Sequence, residues 1–430
     1  MTLAFRQISM GNLKTEITNI AKKALQASRE LLSVSCEAKN KVLADLAEAI
    51  IADKDVILKA NKIDIALAKK AKLSQAFIDR LTLNEKRIQE MADSLRQMVS
   101  LVDPVGEEIK AWDRPNGLNI RKVRVPIGVI AIIYESRPNV TSDCAGLCLK
   151  SSNAVILRGG SESLNSNLAI HKIIRKVLKK NNLSEAAVNL VTTKDRKAVD
   201  VLLKLTEYID LVIPRGGESL IRRVVETSRI PVIKHYKGIC HIYVDEWADL
   251  SMAQRICFNA KVQRPGTCNA METMLVNKEV AARFLPTMIK EFEDAGVQIR
   301  GCALTKQIAK NFKIKKVQDK DYHTEYLDLI LSVKVVKDLN EAIGHINKYG
   351  TKHSDSIITD NKENAAEFLK RVDSACVYVN ASTRFTDGYQ FGLGAEIGIS
   401  TDKLHARGPM ALEELTTYKY MIYGNGQVRE

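Results

Sequence analysis

Aromatic residues make up only 5% of this 430-residue chain, prolines number 9, and no apolar run reaches the length of a membrane span. The longest run, Val125 to Tyr134, is about half of the roughly 20 residues that a transmembrane helix needs. The opening MTLAFRQISM lacks the continuous apolar core of a secretory signal, so a soluble, cytoplasmic protein is expected. Scarce proline beside 45% hydrophobic and 27% charged residues excludes a disordered or low-complexity chain. Paired cysteines are missing as well. Cys36, Cys144, Cys148, Cys240, Cys257, Cys268, Cys302 and Cys376 show no CxxC spacing, and a chain of this size needs no disulfide framework. Cys144 and Cys148 can share a helix face, but two ligands make no metal site, so reduced thiols and no metal are expected.

The formal net charge of +14 suits either a nucleic-acid partner or an enzyme that handles anionic ligands. Lysines and arginines are spread among acids along helical stretches, with few aromatics between them to stack on bases. That distribution favours the enzyme, and neither a nucleic acid nor a membrane is expected as a partner.

The length implies two lobes plus a small appendage. From Leu13 to about Leu101 the pattern is helical, with a capping box at Thr82 and Glu85 ahead of Ile88, Met91, Leu95 and Met98. Leu101 to Arg124, broken by Pro104, Gly106, Pro115 and Gly117, reads as an irregular excursion or a hairpin. Short β-rich runs then alternate with helical stretches: 126–133, 153–158, 187–192, 210–214, 231–235 and 240–245. That spacing predicts parallel β-α-β units in a doubly wound α/β lobe. A second α/β region runs from about Asp249 to Arg407, with strands expected at 271–276, 329–336, 355–359 and 375–380. The closing TTYKYMIYG is β-prone and suited to add as an edge strand to a neighbouring subunit.

The sharpest local signal is QRPGTCNAMETMLV, residues 263–276, which sets Cys268 on a polar, glycine-containing turn directly before a helix or strand run. A thiolate there can act as a nucleophile, and the turn's N–H groups can face an oxyanion. The alternative is a small buried hydrophobe. Two further segments, YESRPNVTSD (134–143) and LRGGSESLNSN (157–167), follow predicted parallel strands at their carboxyl ends, where ligands bind in open α/β sheets. Asn139 offers an amide donor and Arg158 a fork suited to phosphate, unless either is simply a turn residue.

Taken with VIPRGGESLI, PVIKHYKGICHIYVD, HTEYLDLILSV and GLGAEIGIST, these motifs resemble, in order and over nearly the whole chain, the γ-glutamyl phosphate reductase family of the aldehyde dehydrogenase superfamily. The resemblance implies two Rossmann-like lobes plus a small β oligomerisation element. The expected bounds are 12–107 and 126–245 for an NADPH-binding domain, 246–407 for a catalytic domain, and 108–125 with 408–430 for the oligomerisation element. The implied reaction is NADPH-dependent reduction of L-glutamyl 5-phosphate through a thioester on Cys268, with Asn139 and the Cys268 N–H as oxyanion donors. Arg158, Gly216, Gly217, Ser219 and Glu325 match cofactor-binding positions. Arg137 and Lys237 suit the departing phosphate, and Ser382, Arg384 and Asp387 suit the amino-acid end of the substrate. A homo-oligomer and a functional association with glutamate 5-kinase are the implied partners.

Two details refine this expectation. IKHYKG, residues 233–238, has His235 at or close to the position where hydrolytic aldehyde dehydrogenases carry a water-activating glutamate, so the resemblance implies that the thioester lacks that base. FGLGAEIG, residues 391–398, has the wrong final spacing for a dinucleotide fingerprint. A CoA-acylating or hydrolytic aldehyde dehydrogenase is the competing enzyme reading, and a basic binding protein the competing non-enzyme.

Overall fold

The first five helices, Met10–Leu31, Cys36–Ala52, Lys54–Lys70, Gln75–Leu81 and Glu85–Ser100, bear out the all-helical opening. They belong to a computed structural model that describes residues 10–429; the first nine residues, on which the expectation about a secretory signal rests, lie outside it. Among the described residues no helix is long and apolar enough to cross a membrane. Ile88, Met91, Leu95 and Met98 are buried, as their spacing predicts. The cap of their helix differs from the expected box. Asn84 fills it, accepting from the Arg87 N–H at 2.8 Å, while the Thr82 hydroxyl donates back to the Ile78 carbonyl at 2.7 Å and closes the preceding helix. Asparagine caps at least as well as threonine, and Glu85 is already the first helical residue.

The chain divides into two compact units. The first comprises residues 1–234, 392–398 and 410–430. Its core sheet has four parallel strands in the order Val188–Leu190, Ala154–Gly159, Val129–Tyr134, Leu211–Arg215. Every residue of Val129–Tyr134 is buried, as a central strand covered on both faces requires. Because the chain leaves this strand for one neighbour and returns on its other side, a crevice is expected at the carboxyl ends of Val129–Tyr134 and Leu211–Arg215. The excursion after Leu101 is a hairpin: Glu108–Asp113 pairs antiparallel with Asn119–Pro126, and Thr416–Tyr423 adds on the other side. One edge of the closing strand is thus taken by its own chain. Tyr418, Tyr420, Ile422 and Tyr423 stay exposed on it.

The second unit comprises residues 235–391 and 399–409. Its seven strands, all parallel, run Lys315–Lys316, Gln298–Gly301, Ile330–Val336, Met271–Asn277, Cys240–Val244, Ser354–Ile358, Cys376–Val379. This corrects the expected boundary near residue 245: Cys240–Val244 pairs on both edges inside the second sheet. The expected strand at 231–235 is reduced to one bridge, Val212 to Val232, next to a proline that cannot donate.

Helix Leu250–Val262 packs on the second sheet and carries an ion pair inside the core. Lys261 Nζ lies 2.7 Å from Glu272 Oε2, and neither side chain is exposed at all. The other oxygen, Oε1, accepts from the Leu327 N–H at 3.1 Å. Breaking such a pair strands a buried charge, whereas replacing both members with apolar groups is far better tolerated. Glu272→Ala is expected to destabilise the chain by about 3–5 kcal/mol in denaturant unfolding, and the double variant Lys261→Met, Glu272→Leu by much less. Equal losses in the two variants would contradict this account of the pair.

Candidate active site

Cys268 is half-buried on the turn between helix Leu250–Val262 and strand Met271–Asn277. The turn is held by its neighbours rather than by its own hydrogen bonds alone. The Asn269 amide donates to the carbonyls of Thr386 at 2.9 Å and Arg384 at 3.3 Å, and the Thr383 hydroxyl donates to the Asn269 carbonyl at 2.7 Å. The Arg384 guanidinium donates to Gln263 Oε1 at 2.9 Å, to Thr267 Oγ1 at 3.0 Å, and to Asn269 Oδ1. Burial lowers the Arg384 pKa, with Arg264 adding to the effect and Cys268 opposing it.

The Cys268 main chain is gripped from the other side. Cys240 Sγ donates to the Cys268 carbonyl at 3.2 Å. Gly238 lies so close that a Cβ there would stand 1.7 Å from the Cys268 oxygen and 2.4 Å from its carbon. The Gly238 N–H donates to Glu325 Oε1 at 2.8 Å. Burial pushes the Glu272 carboxyl up to about 7, with Lys261 and the Leu327 N–H pulling the other way.

The second unit therefore gathers Cys268, Glu325, Lys237, Ser382, Arg384 and Asp387. Ser382 is buried and accepts from the Arg384 N–H at 3.3 Å. Asp387 Oδ1 accepts from the N–H groups of Tyr389 and Gln390 at 3.0 and 3.3 Å. Arg384 and Asp387 line one cavity of about 240 Å³ with Asn259, Gln263, Phe385 and Gln390.

The first unit gathers Arg137, Asn139, Arg158, Gly216, Gly217 and Ser219. Asn139 opens helix Asn139–Lys150, and its Nδ2 donates to Asp143 Oδ2 at 2.9 Å. Burial raises the Asp143 carboxyl to about 6, against the hydrogen bonds from Asn139 and Ser94. Arg158 is the penultimate residue of the strand Ala154–Gly159. Its Nη1 donates to the Gly159 carbonyl at 3.0 Å, while its buried Nε has no hydrogen-bond partner in the protein. Burial lowers its pKa and Glu162 opposes the shift. The Gly217 N–H, expected to face a diphosphate, donates to Glu135 Oε2 at 2.9 Å. Gly216 is packed on that same carboxylate, 2.4 Å from where its Cβ would stand. Ser219 is exposed near the start of helix Glu218–Thr227.

Sequence reasoning missed Glu135, Gly238, Asn269, Glu272, Lys261 and His353. Glu135, Gly238, Asn269 and Glu272 lie inside the quoted motifs, so an acid, amide or glycine within such a string was the available signal. His353 comes 85 positions after Cys268 and carried none.

The profile of the aldehyde dehydrogenase family matches residues 7–301. With the parallel sheets and the cysteine turn, this places the chain in the aldehyde dehydrogenase family of nicotinamide-dependent oxidoreductases. A γ-glutamyl phosphate reductase of Thermodesulfovibrio yellowstonii is 58% identical over 418 residues, 97% of this chain and 100% of the relative. The enzyme of that name from Caldanaerobacter subterraneus subsp. tengcongensis is 57% identical over 415 residues, 96% and 100% of the two chains. The crystal structure of γ-glutamyl phosphate reductase from Thermotoga maritima matches with a TM-score of 0.94 at 49% identity, covering 96% of this chain and 100% of that one. Within the family, the chain belongs with the γ-glutamyl phosphate reductases.

The Gly238 contact generates a direct test. Its neighbours are backbone atoms, so a methyl group at Gly238 must displace the Cys268 main chain. Gly238→Ala is expected to cut kcat by about two orders of magnitude, the scale of a 1 Å misplacement of a reacting group. Turnover within tenfold of the parent, in a variant with an unaltered melting curve, would show that the contact does not set the nucleophile's position.

Proposed function

We propose that this chain catalyses the NADPH-dependent reduction of L-glutamyl 5-phosphate to L-glutamate 5-semialdehyde and phosphate, the second step of proline formation from glutamate. The observation that carries the proposal is the clamped Cys268 turn, in a chain 58% identical over 418 residues to a relative bearing the name of that activity. An acyl phosphate brings its own leaving group, so the protein needs a nucleophile, donors for the oxyanion and a held orientation.

The residues fit the cofactor. The buried Arg158 Nε, unpartnered in the protein, sits on a guanidinium at the carboxyl end of a central strand, where a phosphate would complete its hydrogen bonding. Arg158 is assigned the 2′-phosphate, Gly216, Gly217 and Ser219 the diphosphate, and Glu325 the nicotinamide ribose. For Gly217 and Glu325 this requires exchange of their present partners, Glu135 and the Gly238 N–H.

The thiolate of Cys268 attacks the γ-carbonyl carbon, and the carbon–oxygen bond to phosphate breaks with its electrons leaving on phosphate. When bound, NADPH would supply the hydride that reduces the thioester carbonyl. The hemithioacetal then collapses, returning the electron pair to Cys268 sulfur and releasing the aldehyde. Asn139 Nδ2 and the Cys268 N–H are the proposed donors to both oxyanions, each worth about 3 kcal/mol of barrier. Arg137 and Lys237 neutralise the phosphate, and Ser382, Arg384 and Asp387 receive the amino-acid end. We assign the reaction to the cytoplasm, beside the glutamate 5-kinase that makes the acyl phosphate, and assign the sheet of Glu108–Asp113, Asn119–Pro126 and Thr416–Tyr423 to homo-oligomer contacts.

Run in reverse, the enzyme should form NADPH from NADP⁺ and glutamate 5-semialdehyde only when phosphate is present, followed at 340 nm. Cys268→Ala should abolish that signal. Phosphate-independent NADPH formation would instead indicate a hydrolytic dehydrogenase. Arg158→Ala should weaken NADPH at least about tenfold more than NADH, the scale of a lost charge-assisted hydrogen bond. Equal losses would remove the 2′-phosphate contact.

A further inference from the structure

Two imidazoles stand beside the nucleophile that the proposed reduction does not use. Cys268 Sγ and one ring nitrogen each from His235 and His353 all lie within 4.8 Å of one another. No other group of three such ligand residues converges in this way among the described residues. His235 Nδ1 lies 2.7 Å from the Ile399 carbonyl oxygen. A carbonyl only accepts, so Nδ1 carries the proton and Nε2 keeps its lone pair. An imidazole held by a backbone carbonyl through its other nitrogen is the usual setting of a metal-bound histidine. His353 is buried, its Nδ1 2.9 Å from Ser354 Oγ, and its ring meets that of His235 edge to face at 5.6 Å.

The donor set is one sulfur and two imidazole nitrogens, which suits Zn²⁺ and not Mg²⁺ or Ca²⁺. Tetrahedral zinc, with bonds of about 2.0–2.3 Å, spaces its ligand atoms roughly 3.5 Å apart. Side-chain shifts of about 1 Å therefore suffice to close the set. We propose that Cys268, His235 and His353 form an inhibitory Zn²⁺ site with a fourth position open to water. Zinc displaces the thiol proton to solvent, no electrons change hands, and the sulfur is held as a metal thiolate that no longer attacks the substrate. The effect on turnover rests on the proposed role of Cys268, while the binding itself does not.

The test uses the full chain, stripped with chelator and titrated with zinc chloride against a chromophoric zinc indicator. Iodoacetamide labelling of Cys268, read by mass spectrometry, and turnover are followed in parallel. One tight equivalent is expected, with Cys268 protected from alkylation and turnover lost, both reversed by EDTA; magnesium chloride should protect nothing. His235→Gln and Cys268→Ala should each weaken zinc at least tenfold. Unchanged zinc affinity in either variant, or undiminished labelling of Cys268 in the zinc-saturated chain, would overturn the site. Turnover persisting in Cys268→Ala would overturn the thioester reading instead, and would leave the zinc result standing.

Discussion

The approach of Gly238 to the Cys268 main chain is the constraint on which the rest of the second unit depends. With a carbonyl oxygen where a Cβ would stand, position 238 excludes every side chain, and the two backbones fix each other. The rest of the network carries that restraint outward. Glu325 accepts from the Gly238 N–H, and two residues further Leu327, at a φ of 53°, donates to Glu272. A leucine in the left-handed region costs about a kcal/mol or more and persists only where surrounding contacts over-determine it. The buried Lys261–Glu272 pair provides that over-determination. A fully buried ion pair is weak evidence for stability, so its value here lies in fixing geometry.

Cationic side chains divide into scaffold and reserve. Arg384 combines three side-chain hydrogen bonds around the nucleophile turn with a place in the adjoining cavity wall. Its first role follows from the structure itself, and any role toward substrate must coexist with it. Arg158 has the opposite profile, a single bond to its neighbour's carbonyl and an Nε left over. An unsatisfied buried donor costs about 1–3 kcal/mol, a cost that a bound anion removes. The two arginines thus differ in a way their side-chain chemistry alone does not disclose.

Elements governed by local periodicity were legible in the sequence. The helical opening, most strands of both sheets and the hairpin near residue 110 all follow from patterning. Where short-range signals compete, patterning fails: Thr82 and Asn84 are both good caps, and only the hydrogen-bond accounting chooses. Membership of a sheet is a non-local property, so Cys240–Val244, apolar enough for either lobe, could not be assigned from its own residues. The site divides in the same way. Cys268, Asn139 and Arg158 stand in distinctive strings, whereas His353 and Lys261 acquire meaning only from what the fold sets beside them, and Gly238, though inside a quoted string, does so as well. Glu135 is the instructive case, because its carboxylate engages an N–H 82 residues away.

The same network bears on why a thioester at Cys268 would survive long enough to be reduced. Hydrolysis needs a carboxylate or imidazole free to take a proton from water. Glu272, its carboxyl pushed up by burial, would be a candidate for that task if water reached it. It does not qualify, since its side chain has no exposure, Lys261 holds one oxygen and the Leu327 N–H the other. Glu325 Oε1 accepts from the Gly238 N–H, whereas the bond from His235 Nδ1 to the Ile399 carbonyl leaves that imidazole's Nε2 with its lone pair. The contacts behind the nucleophile turn therefore also withdraw the Glu272 carboxylate from water, and to that extent protection against hydrolysis follows from the positioning of the cysteine itself.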